Sequence, residues 1–170
     1  AEDALSIIEA KIEGPVVLVG SSMGGWISLL ISKQLGDRVA GFVGIAAAPD
    51  FTEDGFWASF SEEERSELMQ EGSVDVPSDY GSPYPITWRL IEEGRAQLVL
   101  RSPLTLECPV RLLQGSEDAS VTRATALRLF DHIEATDLHL EFVSGADHSF
   151  STPICLNILK RALGEVLELS

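Results

Sequence analysis

The 170-residue sequence predicts an α/β fold, a mostly parallel sheet with helices on both faces, on three grounds. Apolar strand-like runs alternate with helix-length segments whose apolar residues recur three and four apart, a pattern that implies right-handed crossovers between parallel strands. The first two runs are apolar almost throughout, which suits strands covered on both faces. Each run is also followed by residues able to do chemistry.

The elements follow in chain order. The opening "AEDALSIIEAKIEG" is an acidic amphipathic segment without the basic start and cleavage site of a leader peptide. The first strand is "PVVLVG" from Pro15, followed by a helix over Gly24 to Leu35, and the second strand is "RVAGFVGIAAA" from Arg38. The stretch from Phe51 to Leu100 lacks a strong strand. It holds two helical pieces, Ser61 to Glu71 and Ile86 to Leu98, joined by a Gly/Pro/Ser/Asp-rich turn region. An insertion of this length at a strand's carboxyl end reads as a helical cap over a pocket. Two ordinary helices packed on the sheet edge are the alternative. "PVRLLQG" from Pro109 is the third strand, Thr122 to Ile133 the next helix and "LHLEFVSG" from Leu138 the fourth strand. In the last helix, Pro153 to Leu167, the residues Ile154, Ile158, Leu159, Leu163 and Leu167 form one apolar stripe. The whole chain reads as one domain, residues 1–170, with the cap at 51–100 inserted in it.

Composition removes several classes of function. Twelve Lys+Arg against 27 Asp+Glu leave a net charge of −15, which repels nucleic acid backbones and anionic lipid. No apolar run approaches the roughly 20 residues needed to span a bilayer. The two cysteines, Cys108 and Cys155, fit neither a zinc knuckle nor a CxxC pair and read as core fillers in a reducing, cytoplasmic compartment. Three histidines and scattered carboxylates offer no ligand cluster, so neither a metal nor an organic cofactor is expected.

Gly20-Ser21-Ser22-Met23-Gly24 is a G-x-S-x-G segment standing directly between a strand and a helix, the context such a motif requires. So tight a turn demands residues without bulk two before and two after the nucleophile. Ser22 meets that demand, whereas Ser21 is flanked by Val19 and Met23. The turn exposes the Ser22 hydroxyl above the sheet and turns the Met23 N–H, at the helix's positive end, toward a developing oxyanion. A phosphate cradle is excluded, because "WISLL" follows Gly24-Gly25 where a Lys-Ser/Thr pair would be needed.

A serine hydroxyl needs a base, and the base needs a carboxylate to set its tautomer. His148, in "VSGADHSF", leaves the fourth strand at the end of the sheet where Ser22 emerges. His132, in a helical run, and His139, alternating with Leu138 and Leu140, read as solvated or edge residues. Asp118, in the loop after the third strand, is the candidate acid, with Asp50 after the second strand as runner-up. Glu117 then points elsewhere, and Asp147, adjacent to His148, reads as a loop or helix-start residue.

With Gly20, Ser22, Gly24, Asp118 and His148 in this order, the chain resembles an α/β-hydrolase entered partway through. The segments "GSSMGGW", "VPSDYGSPYPITWRLIEEG", "SPLTLECPVRLLQGSEDASV" and "DHS" resemble a narrower group, the palmitoyl-protein thioesterase and acyl-glucuronide esterase type called α/β-hydrolase domain-containing protein ten, with its bacterial relatives. The resemblance implies hydrolysis of thioesters or oxygen esters through a serine acyl-enzyme. Arg123, where an aromatic is expected, and Ser149, where a basic residue is expected, depart from the group's pattern and bear on substrate preference. Full members carry strands ahead of the elbow, one of whose loops donates a second oxyanion N–H. The chain is therefore expected to be a carboxyl-terminal portion, nearly inactive alone, with an apolar, unpaired edge on "VVLVG". Phe56, Trp57, Phe60, Tyr84 and Trp88 either line an acyl or aryl pocket or pack on one another. Competing readings are a lipase, a peptidase, and a non-catalytic hydrolase-like binding module.

Overall fold

The computed structural model of the protein describes residues 1–78 and 81–169. Asp79 and Tyr80, in the turn region of the expected cap, lie outside the described residues. The elements run α1 (Glu2–Lys11), β1 (Val16–Ser21), α2 (Met23–Leu35), β2 (Val39–Ile45), α3 (Glu62–Glu71), β3 (Ser73–Ser78), β4 (Gly81–Thr87), α4 (Trp88–Arg95), β5 (Leu104–Thr105), β6 (Val110–Gly115), α5 (Arg123–His132), β7 (Ile133–Glu134), β8 (Leu138–Val143) and α6 (Pro153–Leu169). They form two compact units, one made of Ala1–Pro49 with the chain from Val99 onward, the other of Asp50–Leu98.

The first unit is built on a four-stranded sheet in the order β1-β2-β6-β8, every neighbouring pair parallel. The four apolar runs read from the sequence are these four strands, and the alternation with helices has the physical basis expected of parallel crossovers. Alternation along the strands divides their side chains between two covered faces. Val43, Ile45 and Leu113 pack with Cys155, Ala162 and Val166 of α6. Gly44, Leu112 and Leu140 border Ala126 and Leu129 of α5 on the opposite side. α6 approaches β2 so closely that a Cβ on Gly41 would lie 2.0 Å from Val166 Cγ1. The expected cysteine fillers are found: Cys108 and Cys155 are both buried free thiols.

Arg111, buried in β6, is a charge inside a largely apolar strand, and the structure neutralises it on two sides. Its guanidinium forks onto the Asp137 carboxylate at 3.0 and 3.2 Å and donates to Glu165 of α6 at 2.8 Å. β1 is an edge strand, as its sequence position suggested, and leaves Val19 47% exposed. No helix among the described residues is long and apolar enough to cross a membrane.

The second unit corrects one expectation. Ser73–Ser78 and Gly81–Thr87, read as a turn region running into a helix, are two strands paired antiparallel, in which Val74 faces Ile86 and Val76 faces Tyr84. Prolines hide this pairing in the sequence. In a two-stranded ribbon each strand keeps one unpaired side, and a proline whose missing N–H would face that side leaves the ladder intact. The pairing is stabilised by burial of Val74, Val76 and Ile86 with Phe60, Leu68 and Ile91. α3 starts on a full capping box between Ser61 and Glu64, and α4 starts later than expected, at Trp88, after the Thr87 hydroxyl accepts from Leu90 N–H. The residues before α3, Phe51–Trp57, wind as a π-helical turn. Between the two readings of the aromatic side chains, mutual packing is what this unit displays. Phe56 stacks on Phe60 at 6.2 Å and meets Tyr84 edge-on at 6.4 Å, and Trp57 lies 5.6 Å from Trp88.

Candidate active site

The candidate site stands at the carboxyl edge of the four-stranded sheet, where three loops leave three different strands. At the first, β1 turns into α2 through Ser22, which has φ 53° and ψ −122°, a conformation that non-glycine residues rarely adopt. The turn is held on both sides: Ser22 N–H donates to Ile45 O at 2.9 Å, and Ser22 O accepts from Gly25 N–H at 2.9 Å and Ala48 N–H at 3.1 Å. Ser22 occupies the N-cap of α2, yet its hydroxyl caps no helix amide. Ala46 after β2 and Phe150 after β8 also have positive φ, so backbone strain gathers at this edge of the sheet.

The packing of the elbow differs from the sequence expectation in one respect. A Cβ on Gly20 would lie 2.3 Å from Gly24 O and 2.6 Å from Gly25 N, so the lack of bulk before Ser22 is a steric necessity. After Ser22 the necessity falls on Gly25, where a Cβ would lie 2.6 Å from Ala47 Cβ. At Gly24 a Cβ meets nothing within 4 Å beyond its chain neighbours and the backbone of its own helix. The reason is helical phase: it is the backbone of Gly24 that lies under Gly20, while its side-chain direction is turned away.

The second loop carries Asp118, whose side chain is 0% exposed. Its Oδ1 accepts from the N–H groups of Ser120 at 2.9 Å and Val121 at 2.8 Å, an Asx-type loop closure. Its Oδ2 accepts from Gln114 Nε2 at 2.9 Å and from His148 Nδ1 at 2.9 Å. The third loop carries His148, 21% exposed at its side chain, with Nε2 3.1 Å from Ser22 Oγ. Because a carboxylate only accepts, the ring proton sits on Nδ1, and Nε2 presents its lone pair to the serine hydroxyl. The arrangement can take a proton from Ser22 Oγ and stabilise the imidazolium that results.

The Asp118 and His148 loops are stitched together by backbone. Ser116 N–H donates to Val143 O at 2.9 Å, Glu117 N–H to Ala146 O at 3.0 Å, and Gly145 N–H to Ser116 Oγ at 2.8 Å. Gly115 permits the approach, since a Cβ there would lie 2.3 Å from Ala146 O. Asp147 has the loop role expected of it: its Oδ1 accepts from the Ser149 hydroxyl at 2.7 Å and from the N–H groups of Ser149 and Phe150 at 3.1 and 3.2 Å. These donors, the hydroxyl foremost, hold its carboxyl below the usual carboxylate range.

The structure thus brings Ser22, His148 and Asp118 together. Met23, the remaining expected site residue, is the first residue of α2, where an N–H has no acceptor within the helix. Glu117 is exposed beside Asp118. His139 is exposed near Asp137, and His132 lies 2.7 Å from Ser102 O through Nε2. Asp50, the runner-up acid, is a buried residue of the second unit whose carbonyl accepts from the N–H groups of Glu53 and Asp54. Sequence reasoning missed Gln114, Gly115 and Gly25. The available signal for Gln114 was a lone amide following the apolar Leu112-Leu113 pair in the strand "VRLLQG".

No protein-family model matches the chain. It is 31% identical over 172 residues to "Palmitoyl-protein thioesterase ABHD10, mitochondrial" of Bos taurus, a match that covers 98% of this chain and 55% of that protein. The Homo sapiens protein of the same description is 29% identical over 169 residues, with the same coverage. The chain therefore spans a little over half the length of these curated relatives. A crystal structure from Agrobacterium vitis S4 that carries a hydrolase designation superposes with a TM-score of 0.92 at 37% identity, covering 97% of this chain and 66% of that one. "Alpha/beta hydrolase domain-containing protein 10 from mouse" superposes with a TM-score of 0.89 at 30% identity, covering 98% and 67%. Est1E from Butyrivibrio proteoclasticus, solved with ferulic acid, shares the fold with a TM-score of 0.76 at 13% identity.

Proposed function

Because the chain belongs to the α/β-hydrolase family, we propose that the protein carrying it is a serine hydrolase that cleaves carboxylic esters or thioesters through an acyl-enzyme. One observation carries the reading: a continuous hydrogen-bonded path from Ser22 Oγ through both nitrogens of His148 to the buried Asp118 carboxylate, at 3.1 and 2.9 Å. In the first half-reaction Ser22 Oγ attacks the acyl carbonyl while His148 Nε2 takes its proton. The tetrahedral intermediate collapses as His148 returns that proton to the departing alcohol or thiol, leaving an ester on Ser22. In the second half, water gives its proton to His148 and attacks the same carbonyl, and the acid departs as Ser22 recovers its hydrogen. Asp118 holds the ring in the tautomer that both halves require. The Met23 N–H is one oxyanion donor, a contribution worth on the order of 10²- to 10³-fold in turnover.

A thioester of an acylated protein is the substrate we favour within this class, since the curated relatives are described as palmitoyl-protein thioesterases. The unit formed by residues 50–98, two helices and a strand pair, is proposed to act as a cap that selects the acyl or leaving group. The test is labelling by a fluorophosphonate probe together with hydrolysis of p-nitrophenyl acyl esters and acyl thioesters. The wild-type full-length protein that carries this chain is expected to label and turn over, and its Ser22→Ala form to lose labelling and at least about 10⁴-fold of turnover. A folded full-length protein that neither labels nor turns over would leave a binding module. Unchanged labelling of Ser22→Ala would place the nucleophile elsewhere.

A further inference from the structure

Gln114, the last residue but one of β6, buries its amide, 1% exposed, directly after the apolar pair Leu112 and Leu113. Its Nε2 donates to Asp118 Oδ2 and to Val121 O, both at 2.9 Å, with a longer contact of 3.4 Å to Gly115 O. All three partners are acceptors. Only the nitrogen end of the amide can face them, and Oε1 is left in the interior without a hydrogen-bond partner among the described residues. A buried acceptor without a donor destabilises a fold, and a Leu or Met at this position would avoid that cost. What glutamine supplies in exchange is a donor on Asp118 Oδ2, the same oxygen that accepts from His148 Nδ1.

We infer that Gln114 is a positioning residue for the acid, resting on the reading of Ser22, His148 and Asp118 as the reacting set. The two backbone amides of Ser120 and Val121 grip Asp118 at Oδ1. Gln114 grips the other oxygen and thereby fixes the plane of the carboxylate. Its second bond, to Val121 O, ties the end of the same loop to the strand. Without it, rotation of the carboxylate is opposed at Oδ2 by the imidazole alone, which is the group the carboxylate has to orient.

Gln114→Met removes the donor and the orphaned acceptor together, so stability and catalysis are expected to separate. The melting temperature stays close to that of wild type, while kcat for a p-nitrophenyl acyl ester falls roughly 10- to 100-fold with KM within about twofold. In an Asp118→Asn background, the same change alters kcat by less than about twofold, because the group it acts through is already disabled. An unchanged kcat for Gln114→Met, or an equal fold-loss in both backgrounds, overturns the inference. Should the Met form not fold, Gln114→Asn, which draws the donor back by one methylene, runs the same cycle with the same expectation. The two readings fail separately. Persisting turnover in Ser22→Ala removes the reacting set itself, whereas a dead Ser22→Ala beside a fully active Gln114→Met removes only the role of Gln114.

Discussion

Adding one methyl group to either motif glycine of the elbow should have opposite results, and the structure supplies the magnitudes. At Gly20 the new Cβ would lie 2.3 Å from Gly24 O, 2.5 Å from Gly24 C and 2.6 Å from Gly25 N. All three atoms are backbone, so no side-chain rotation relieves the overlap. The start of α2 has to move about 1 Å from β1 to restore ordinary contact, and overpacking of this kind costs about 1–3 kcal/mol. The same displacement carries Ser22, whose Oγ is 3.1 Å from His148 Nε2. A misplacement of about 1 Å in reacting groups costs on the order of 10²-fold in rate. Gly24→Ala, in contrast, adds a Cβ that meets nothing within 4 Å beyond its chain neighbours and its own helix backbone, at the second residue of a helix, where alanine is favoured over glycine by up to about 1 kcal/mol. The assay is a pair of denaturant titrations with the initial rate of fluorophosphonate labelling. Gly20→Ala is expected to lose stability and label at least 100-fold more slowly, and Gly24→Ala to match or exceed wild-type stability. Equal destabilisation by the two substitutions would refute the steric reasoning.

Two further predictions concern protonation. The contribution of Asp147 to its loop comes from an ionised carboxyl whose folded-state value is depressed by the Ser149 hydroxyl and neighbouring amides. That contribution is present above the unfolded value and lost as pH falls through the folded one. The melting-temperature gap between wild type and Asp147→Ala should therefore be constant at neutral and mildly acidic pH and narrow as pH falls below the ordinary carboxylate value of about 4, and a gap that widens would sink the assignment. Burial pushes the Cys108 thiol up, which keeps it protonated, and both cysteines are buried. Mass spectrometry after treatment with iodoacetamide at about pH 8 should find both unmodified until denaturant is added, and rapid modification of the native protein would contradict the packing.

What the sequence determined by itself is what short-range physics encodes. Alternating periodicities named the four parallel strands and their crossover helices, because burial of one helix stripe or a whole strand leaves its period in the chain. The choice of Ser22 over Ser21 was likewise local, since bulk at Val19 is incompatible with so tight a turn. Tertiary structure decided the matters that depend on which distant groups meet. Val74, Val76 and Ile86 form a proline-rich strand pair only because Leu68 and Ile91 are there to cover them. Gly25 rather than Gly24 is the second obligatory glycine because Ala47, some twenty residues on, occupies the space. The approach of Asp118 to His148, and of Gln114 to Asp118, depends on loops from separate strands being stitched together at Ser116, Glu117 and Ala146. A carboxylate or an amide carries no mark in its neighbours of the partner it will find, because that partner is chosen by chain closure over long separations and by which polar groups the core leaves to be satisfied.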